Sequence, residues 1–257
     1  GYTGLDLVLM LSKHPKAKII YLCATKNLGK KISYFDKRIK KKLPSISSLK
    51  NIIWEKIDLV YLSLPNGEAQ KIINKIYHRY KKIKFIDLSA DFRIENIKDY
   101  KKNYKIKHSA TNLVKDSVYS IPEFTNNKID KYRIIANPGC YPTSIQIPLI
   151  PLLRMNLIKG MITIDSKSGY SGAGKNLEKR FFHKHLYSST FAYGVQNHRH
   201  TVELEQELKK ITKKKVNFTF NPHLLPTFRG ILTSIYVDLQ NNISSNQLRN
   251  KLKKFYK

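Results

Sequence analysis

At 257 residues with 41% hydrophobic content, the chain is long enough for one large domain or two ordinary ones. No uninterrupted apolar stretch approaches the roughly 18 residues of a membrane-spanning helix, which excludes such a helix from these residues. Cys23 and Cys140 lie far apart in unlike contexts, which argues against a disulfide framework and for a reducing, cytoplasmic setting.

The formal net charge is +30. The basic residues are mostly lysine and are spread along the whole chain, densest at Lys37–Lys42, Arg79–Lys82 and Lys209–Lys215. None of these clusters belongs to a nucleic-acid-binding motif. The favoured reading is solvated surface charge that steers anionic substrates inward, with no dedicated nucleic-acid partner. The chain opens on Gly1 with no basic-then-apolar leader, so it reads as cut at its start, and nothing marks a natural end at Lys257.

Along the chain, Leu5, Val8 and Leu9 share a helical face in a segment that ends before Pro15. Lys18–Thr25 and Ile57–Leu64 read as strands, the second stopped by Pro65-Asn-Gly67. Glu68–Lys82 has the period of a helix with Ala69, Ile72, Ile73, Ile76 and Tyr80 inward. Lys84–Leu88 and Tyr132–Ala136 are further strands, while Glu95–Lys131 is polar and carries no assignable pattern. Strands alternating with helices predict a parallel sheet wrapped by helices.

After Ala136, the turn Asn137-Pro-Gly-Cys-Tyr-Pro-Thr143 leads into a helix running through Leu153. Beyond it, Met161–Lys167, Val216–Phe220 and Gly230–Leu239 read as strands, and Thr201–Ile211 and Ser245–Tyr256 as helices. Strands closer together in sequence predict a mixed or antiparallel sheet. The expected architecture is an α/β, Rossmann-type domain over 1–139 followed by an α+β domain with a mixed sheet over 140–257. Cys140 then lies at the seam, a common place for a ligand site.

Cys140 is the most informative residue. A thiol at the mouth of a helix meets unpaired N–H groups and the positive end of the dipole, both of which favour thiolate. That placement suits a nucleophile, whereas Cys23, in the apolar run Ile19–Ala24, reads as a small buried hydrophobe. Gly1-Tyr-Thr-Gly4 at a helix start looks like the end of a dinucleotide-binding turn, with Gly1, Thr3 and Gly4 near a pyrophosphate. The next strand ends at Thr25-Lys26 with no acidic residue for a free ribose hydroxyl. Lys26 instead suits a 2′-phosphate, which tilts the cofactor from NAD to NADP(H). Ser63 and Pro65 end the following strand at the edge where nucleotides bind. Ser171 and Gly172, in the glycine-rich run Ser168–Gly174 before Lys175, form a second anion-friendly turn.

Arg93, ending Asp87-Leu-Ser-Ala-Asp-Phe-Arg93, could hold a carboxylate or phosphate bidentately. Two His-x-His pairs occur, His183/His185 and His198/His200. No third ligand has metal-like spacing, so no metal is expected. His198-Arg-His-Thr-Val-Glu203 offers a base, a guanidinium and a carboxylate at the start of a helix, and a base is what a cysteine nucleophile needs.

Together these motifs resemble the N-acetyl-γ-glutamyl-phosphate reductases of arginine biosynthesis, in the aspartate-semialdehyde dehydrogenase-like superfamily. The carrying residues are Gly1–Leu7, Leu64–Gly67, Asp87–Arg93, Ile121–Glu123, Ala136–Thr143, Ser168–Lys175, His198–Glu203 with Gln206, Pro222–Pro226 and Arg229–Ile231, in family order over nearly the whole chain. The resemblance implies an oxidoreductase with an NADP-binding domain and a catalytic, dimerisation domain, assembling as a homodimer or homotetramer. It implies Cys140 as the nucleophile that forms a thioester and His200 as acid–base. Arg93, His198, Arg199 and Glu203 then hold the substrate. It also implies that a first strand before Gly1 and a C-terminal fifth to quarter are missing. Tyr170 and Lys175 depart from the family pattern, where a smaller residue and an arginine are expected. The alternatives are a sister reductase acting on aspartyl or carrier-bound aminoadipyl phosphate, and an inactive enzyme fold serving as a basic nucleic-acid-binding protein.

Overall fold

A computed structural model describes residues 1–174, 189–240 and 242–257. The chain begins with α1 (Tyr2–Lys13), which buries Val8 and Ser12, followed by β1 (Leu22–Cys23) and β2 (Ile46–Ser47), a two-stranded parallel pair. The expected strand over Lys18–Thr25 thus contracts to two residues. Its side chains are at best half-buried, so little packing extends it, and Cys23 is exposed rather than buried.

Next come β3 (Leu59–Leu62), α2 (Glu68–Ile76), β4 (Lys84–Asp87), α3 (Ile97–Tyr104), β5 (Ser117–Tyr119), α4 (Pro122–Thr125) and β6 (Ile134–Ala136). Strands β3, β4, β6 and β5 form one parallel sheet in that order, a Rossmann-like α/β layer. Its core joins Leu62, Phe85, Ile134 and Ala136 of the sheet to Ala69, Ile73 and Ile76 of α2 and to Phe92, Leu113 and Val114. The segment without a sequence pattern therefore contributes the helices α3 and α4 and an edge strand. Three residues of β5, all half-buried, are too few to show a period of two.

The second half contains α5 (Cys140–Arg154), β7 (Ile158–Gly169), β8 (Phe191–Ala192), α6 (Thr201–Thr212), β9 (Phe218–Leu225), β10 (Ile231–Leu239) and α7 (Ser245–Phe255). The sheet order is β10, β7, β9, β8, with β7 parallel to β9 and antiparallel to β10, so the sheet is mixed as expected. Along β7, Ile162, Ile164, Ser166 and Ser168 turn inward, and Ile162 and Ile164 pack on Tyr141, Ile145 and Leu149 of α5 and Leu204 and Leu208 of α6. The opposite face exposes Met161, Leu232 and Tyr236.

The layout places the chemistry. Strands β3, β4, β5 and β6 end side by side, so the segments leaving them at Ser63, Leu88, Ser120 and Asn137 all emerge along one carboxyl edge, the edge where ligands bind in open parallel sheets. The second half is tied to the first through Phe228 and Arg229, just after β9. Phe228 lies edge-on to Tyr2 of α1, and Arg229 pairs with Asp6.

Candidate active site

Cys140 is the first residue of α5, immediately after β6 and the Asn137-Pro-Gly139 turn. The helix therefore begins three residues earlier than the pattern from Thr143 suggests, and the thiol sits inside its first turn. Thr143 helps close this turn, its hydroxyl donating to the Gly139 carbonyl at 2.9 Å. Cys140 retains exposed surface through which a substrate can reach it. The protein packed around the sulfur pushes the thiol above its ordinary value. The Tyr141 N–H, Arg93 and Arg199 oppose that shift, and Glu203 adds to it. Against the expectation of a resting thiolate, desolvation outweighs the Tyr141 N–H and the two cations, because burial disfavours the charged form.

His200 stands at the N-terminus of α6 and is 5% exposed. Its ring lies against Gly139 so closely that a Cβ on that residue would fall 2.6 Å from Nε2, which is why the position is glycine. Its Nδ1 is buried without a hydrogen-bond partner. Burial, then His198, Arg93 and Arg199 hold the imidazole well below its ordinary pKa, so the resting ring is neutral. His198 is held down to about 4, by burial first and Arg199 second. Its Nδ1 accepts the His200 N–H at 3.1 Å, and its ring packs among Tyr141, Tyr193 and Phe220. A neutral histidine in an aromatic cage cannot supply a positive charge to a substrate.

Arg93 also departs from expectation. Its Nε donates to the Asn137 carbonyl at 2.6 Å, one terminal nitrogen donates to the Leu88 carbonyl at 2.9 Å, and the other lies 3.6 Å from Glu203. It is 7% exposed, and its guanidinium ties together the segments that leave β4 and β6. The rest of its motif is equally internal. Asp87 accepts the Ser89 N–H and is pushed up to about 6, chiefly by burial. Asp91 accepts the N–H groups of Gly67 and Gln70 at the start of α2, and the Tyr100 hydroxyl. This motif braces the carboxyl edge of the sheet.

Glu203 is fully buried. One oxygen accepts the Gly139 N–H at 2.7 Å and the Tyr119 hydroxyl at 2.8 Å, and Gln146 of α5 in turn donates to that hydroxyl at 2.6 Å. It too has no surface for a substrate. Tyr119 and Gln146 escape sequence reasoning: one lies on the unpatterned strand β5 and the other on the buried side of α5. Arg199, by contrast, is exposed beside Cys140. Tyr193 is a further neighbour, its hydroxyl 2.9 Å from that of Tyr141.

Two contacts bear on the expected dinucleotide residues. Gly4 faces the Ser63 side chain, which brings the start of α1 to the end of β3. Gly1, Thr3, Thr25, Lys26, Ser63 and Pro65 are all exposed. Ser171 donates its N–H to the Phe228 carbonyl, and the Phe228 ring touches Tyr2, so Ser171 and exposed Gly172 reach the same side of the molecule as α1. The small residues at the mouth of α1, facing Ser63 at the end of β3, leave room for the backbone approach a dinucleotide needs. Lys175, His183 and His185 lie outside the described residues.

Comparison with known proteins bears on the family and the fold. Residues 1–132 match the family model for the semialdehyde dehydrogenase NAD-binding domain, and residues 140–257 match that for the semialdehyde dehydrogenase dimerisation domain. The whole chain is 40% identical over 258 residues to a probable chloroplastic N-acetyl-γ-glutamyl-phosphate reductase of Arabidopsis thaliana, of which it spans 64%. It is 41% identical over 261 residues to an N-acetyl-γ-glutamyl-phosphate reductase of Ehrlichia ruminantium, of which it spans 74%. Among solved structures it resembles aspartate semialdehyde dehydrogenase II of Vibrio cholerae, with a TM-score of 0.69 at 17% identity over 99% of this chain and 75% of that one. An aspartate semialdehyde dehydrogenase with NADP from Candida albicans gives 0.64 at 16% identity, over 98% and 73%. At those identities the structures speak for the fold alone. The sequence relatives and both matched domains establish that this chain belongs to the N-acetyl-γ-glutamyl-phosphate reductase family of semialdehyde dehydrogenases.

Proposed function

We propose that the protein reduces N-acetyl-γ-glutamyl phosphate to N-acetylglutamate 5-semialdehyde and phosphate, with NADPH, in arginine biosynthesis. The observation that carries this reading is the juxtaposition at one turn: Cys140 opens α5, and the neutral His200 ring presses on the residue before it. We assign His200, whose ring lies against the residue before Cys140, to take the thiol proton in the substrate complex, where the environment of both groups changes from that of the resting site. The Cys140 sulfur attacks the acyl carbon, the bond to phosphate breaks, and a thioester remains on the enzyme. A dinucleotide held at the mouth of α1 would supply the hydride that takes this thioester to the aldehyde level. His200, by then protonated, returns its proton as the thiohemiacetal collapses, the semialdehyde leaves and the sulfur is restored.

Arg199, exposed beside the thiol, is the residue we assign to the substrate's anionic groups. Arg93 holds the ends of β4 and β6 in place, and His198 orients His200. Gly1, Thr3, Gly4, Ser63 and Pro65 are assigned to the pyrophosphate and the adjoining nucleotide. Thr25 and Lys26 are assigned to the 2′-phosphate, and Ser171 and Gly172 to the nicotinamide side. We place the boundary between cofactor and catalytic domains at Cys140. A homodimer or homotetramer is supported by the open face of the second sheet, where Met161, Leu232 and Tyr236 stand exposed together. Two free cysteines support a cytoplasmic setting.

The test is an NADP- and phosphate-dependent oxidation assay with N-acetylglutamate semialdehyde set beside aspartate semialdehyde. The expected result is a clear preference for the former, abolished in Cys140→Ser with NADPH binding retained. A preference for aspartate semialdehyde would assign the sister activity, and substantial turnover by the serine variant would remove Cys140 from the chemistry.

A further inference from the structure

Glu203 is a buried charge that the proposed reaction does not use. Its first oxygen is saturated by the Gly139 N–H and the Tyr119 hydroxyl, and its second faces Arg93 at 3.6 Å with no hydrogen-bond donor. Both neighbours of the first oxygen are donors, and the second has a cation rather than an acceptor in front of it. This environment suits the ionised form, even though burial pulls the group the other way. The carboxylate therefore links three elements: α6, which carries it and begins at His200; β5, through Tyr119; and the turn that presents Cys140. Gln146, bonded to the Tyr119 hydroxyl, extends the chain back into α5 two turns beyond the thiol.

Resting on the assignment of Cys140 as nucleophile, we infer that Glu203 is a positioning residue. It anchors the Gly139–Cys140 turn from behind and balances Arg93, so that it sets the charge the sulfur faces without touching the substrate. The titratable and charged groups at this turn are Arg93 from the segment after β4, Arg199 and Glu203 at the start of α6, Tyr141 of α5, Tyr193 after β8, and the neutral rings of His200, which lies against Gly139, and His198 beside it. Within this set Glu203 is the one carboxylate. It opposes a negative sulfur and offsets the arginines that would favour it.

The experiment follows alkylation of the free protein by iodoacetamide as a function of pH, with Cys140 and Cys23 quantified separately by peptide mass spectrometry. Glu203→Gln keeps an acceptor for the Gly139 N–H and removes the charge. Arg93 is then uncompensated, and Cys140 should alkylate about tenfold faster at pH 7, one unit in apparent pKa. Cys23, on β1 with Ser47 as its hydrogen-bond neighbour and no electrostatic influence from Glu203, should be unchanged and serves as the internal control. An unchanged or slower rate at Cys140 would overturn the inference, since a residue acting only on substrate has no effect on the free protein. If Glu203→Gln does not fold, the unsubstituted chain still decides. The Gly139 amide should exchange its hydrogen at least about a hundredfold more slowly than in an unfolded chain, and coil-like exchange would remove the anchor. Neither measurement involves an acyl phosphate or a dinucleotide, so an error in the substrate would leave this result standing.

Discussion

Gly139→Ala tests the closest contact in the site. The backbone there is extended, with φ −65° and ψ 158°, which alanine adopts without strain. All of the cost therefore falls on His200. The new Cβ would lie 2.6 Å from Nε2 and 2.9 Å from both Cδ2 and Cε1, so the ring must retreat by about 0.8 Å to reach an ordinary contact of 3.4 Å. It has little room to do so. The ring is 5% exposed, with the His198 ring centred 4.8 Å away and that of Tyr141 6.0 Å away. Overpacking of this kind costs about 1–3 kcal/mol, which for a chain of this size lowers Tm by about 2–12 °C. Displacing an acid–base by most of an ångström costs about 100-fold in kcat. The assay is the initial rate of semialdehyde oxidation beside a thermal melt. A variant with kcat within about threefold of the parent and the parent's Tm would refute the reasoning, because it would mean that the imidazole does not stand where the geometry puts it.

His200→Asn should lower kcat by about 10²–10⁴-fold and flatten the pH profile near neutrality, as expected for a general acid–base. His198→Asn should give a smaller loss, and the reverse pattern in a pH–rate series would exchange the two roles. Lys26→Glu should weaken NADPH far more than NADH in a titration of intrinsic cofactor fluorescence, and equal losses would show that Lys26 does not read a 2′-phosphate. Asp91→Asn replaces a carboxylate that accepts the Gly67 and Gln70 N–H groups with a side chain that must turn an NH₂ towards one donor. The expected cost is about 2 kcal/mol, or about 4–8 °C in Tm, with the Michaelis constant unchanged. A raised Michaelis constant at constant Tm would instead place Asp91 in the ligand site.

What the sequence by itself determined is whatever depends on near neighbours along the chain. The period of α2 and α6, the apolar strands β4 and β6, and the Pro-Gly turn before Cys140 all follow from residues within a few positions of one another. The order of specific motifs was enough to identify the family. Tertiary structure decided how polar groups are satisfied, because their partners come from distant segments. Arg93 reads in sequence as a ligand-binding fork, but the carbonyls of Leu88 and Asn137 surround it. Glu203 reads as a substrate contact, but it is enclosed by Gly139, Tyr119 and Arg93. Cys140 reads as a thiolate from its helix start, but the packing around the sulfur reverses the balance. A local pattern carries no record of the desolvation that the fold imposes, and in a buried site desolvation is the larger energy.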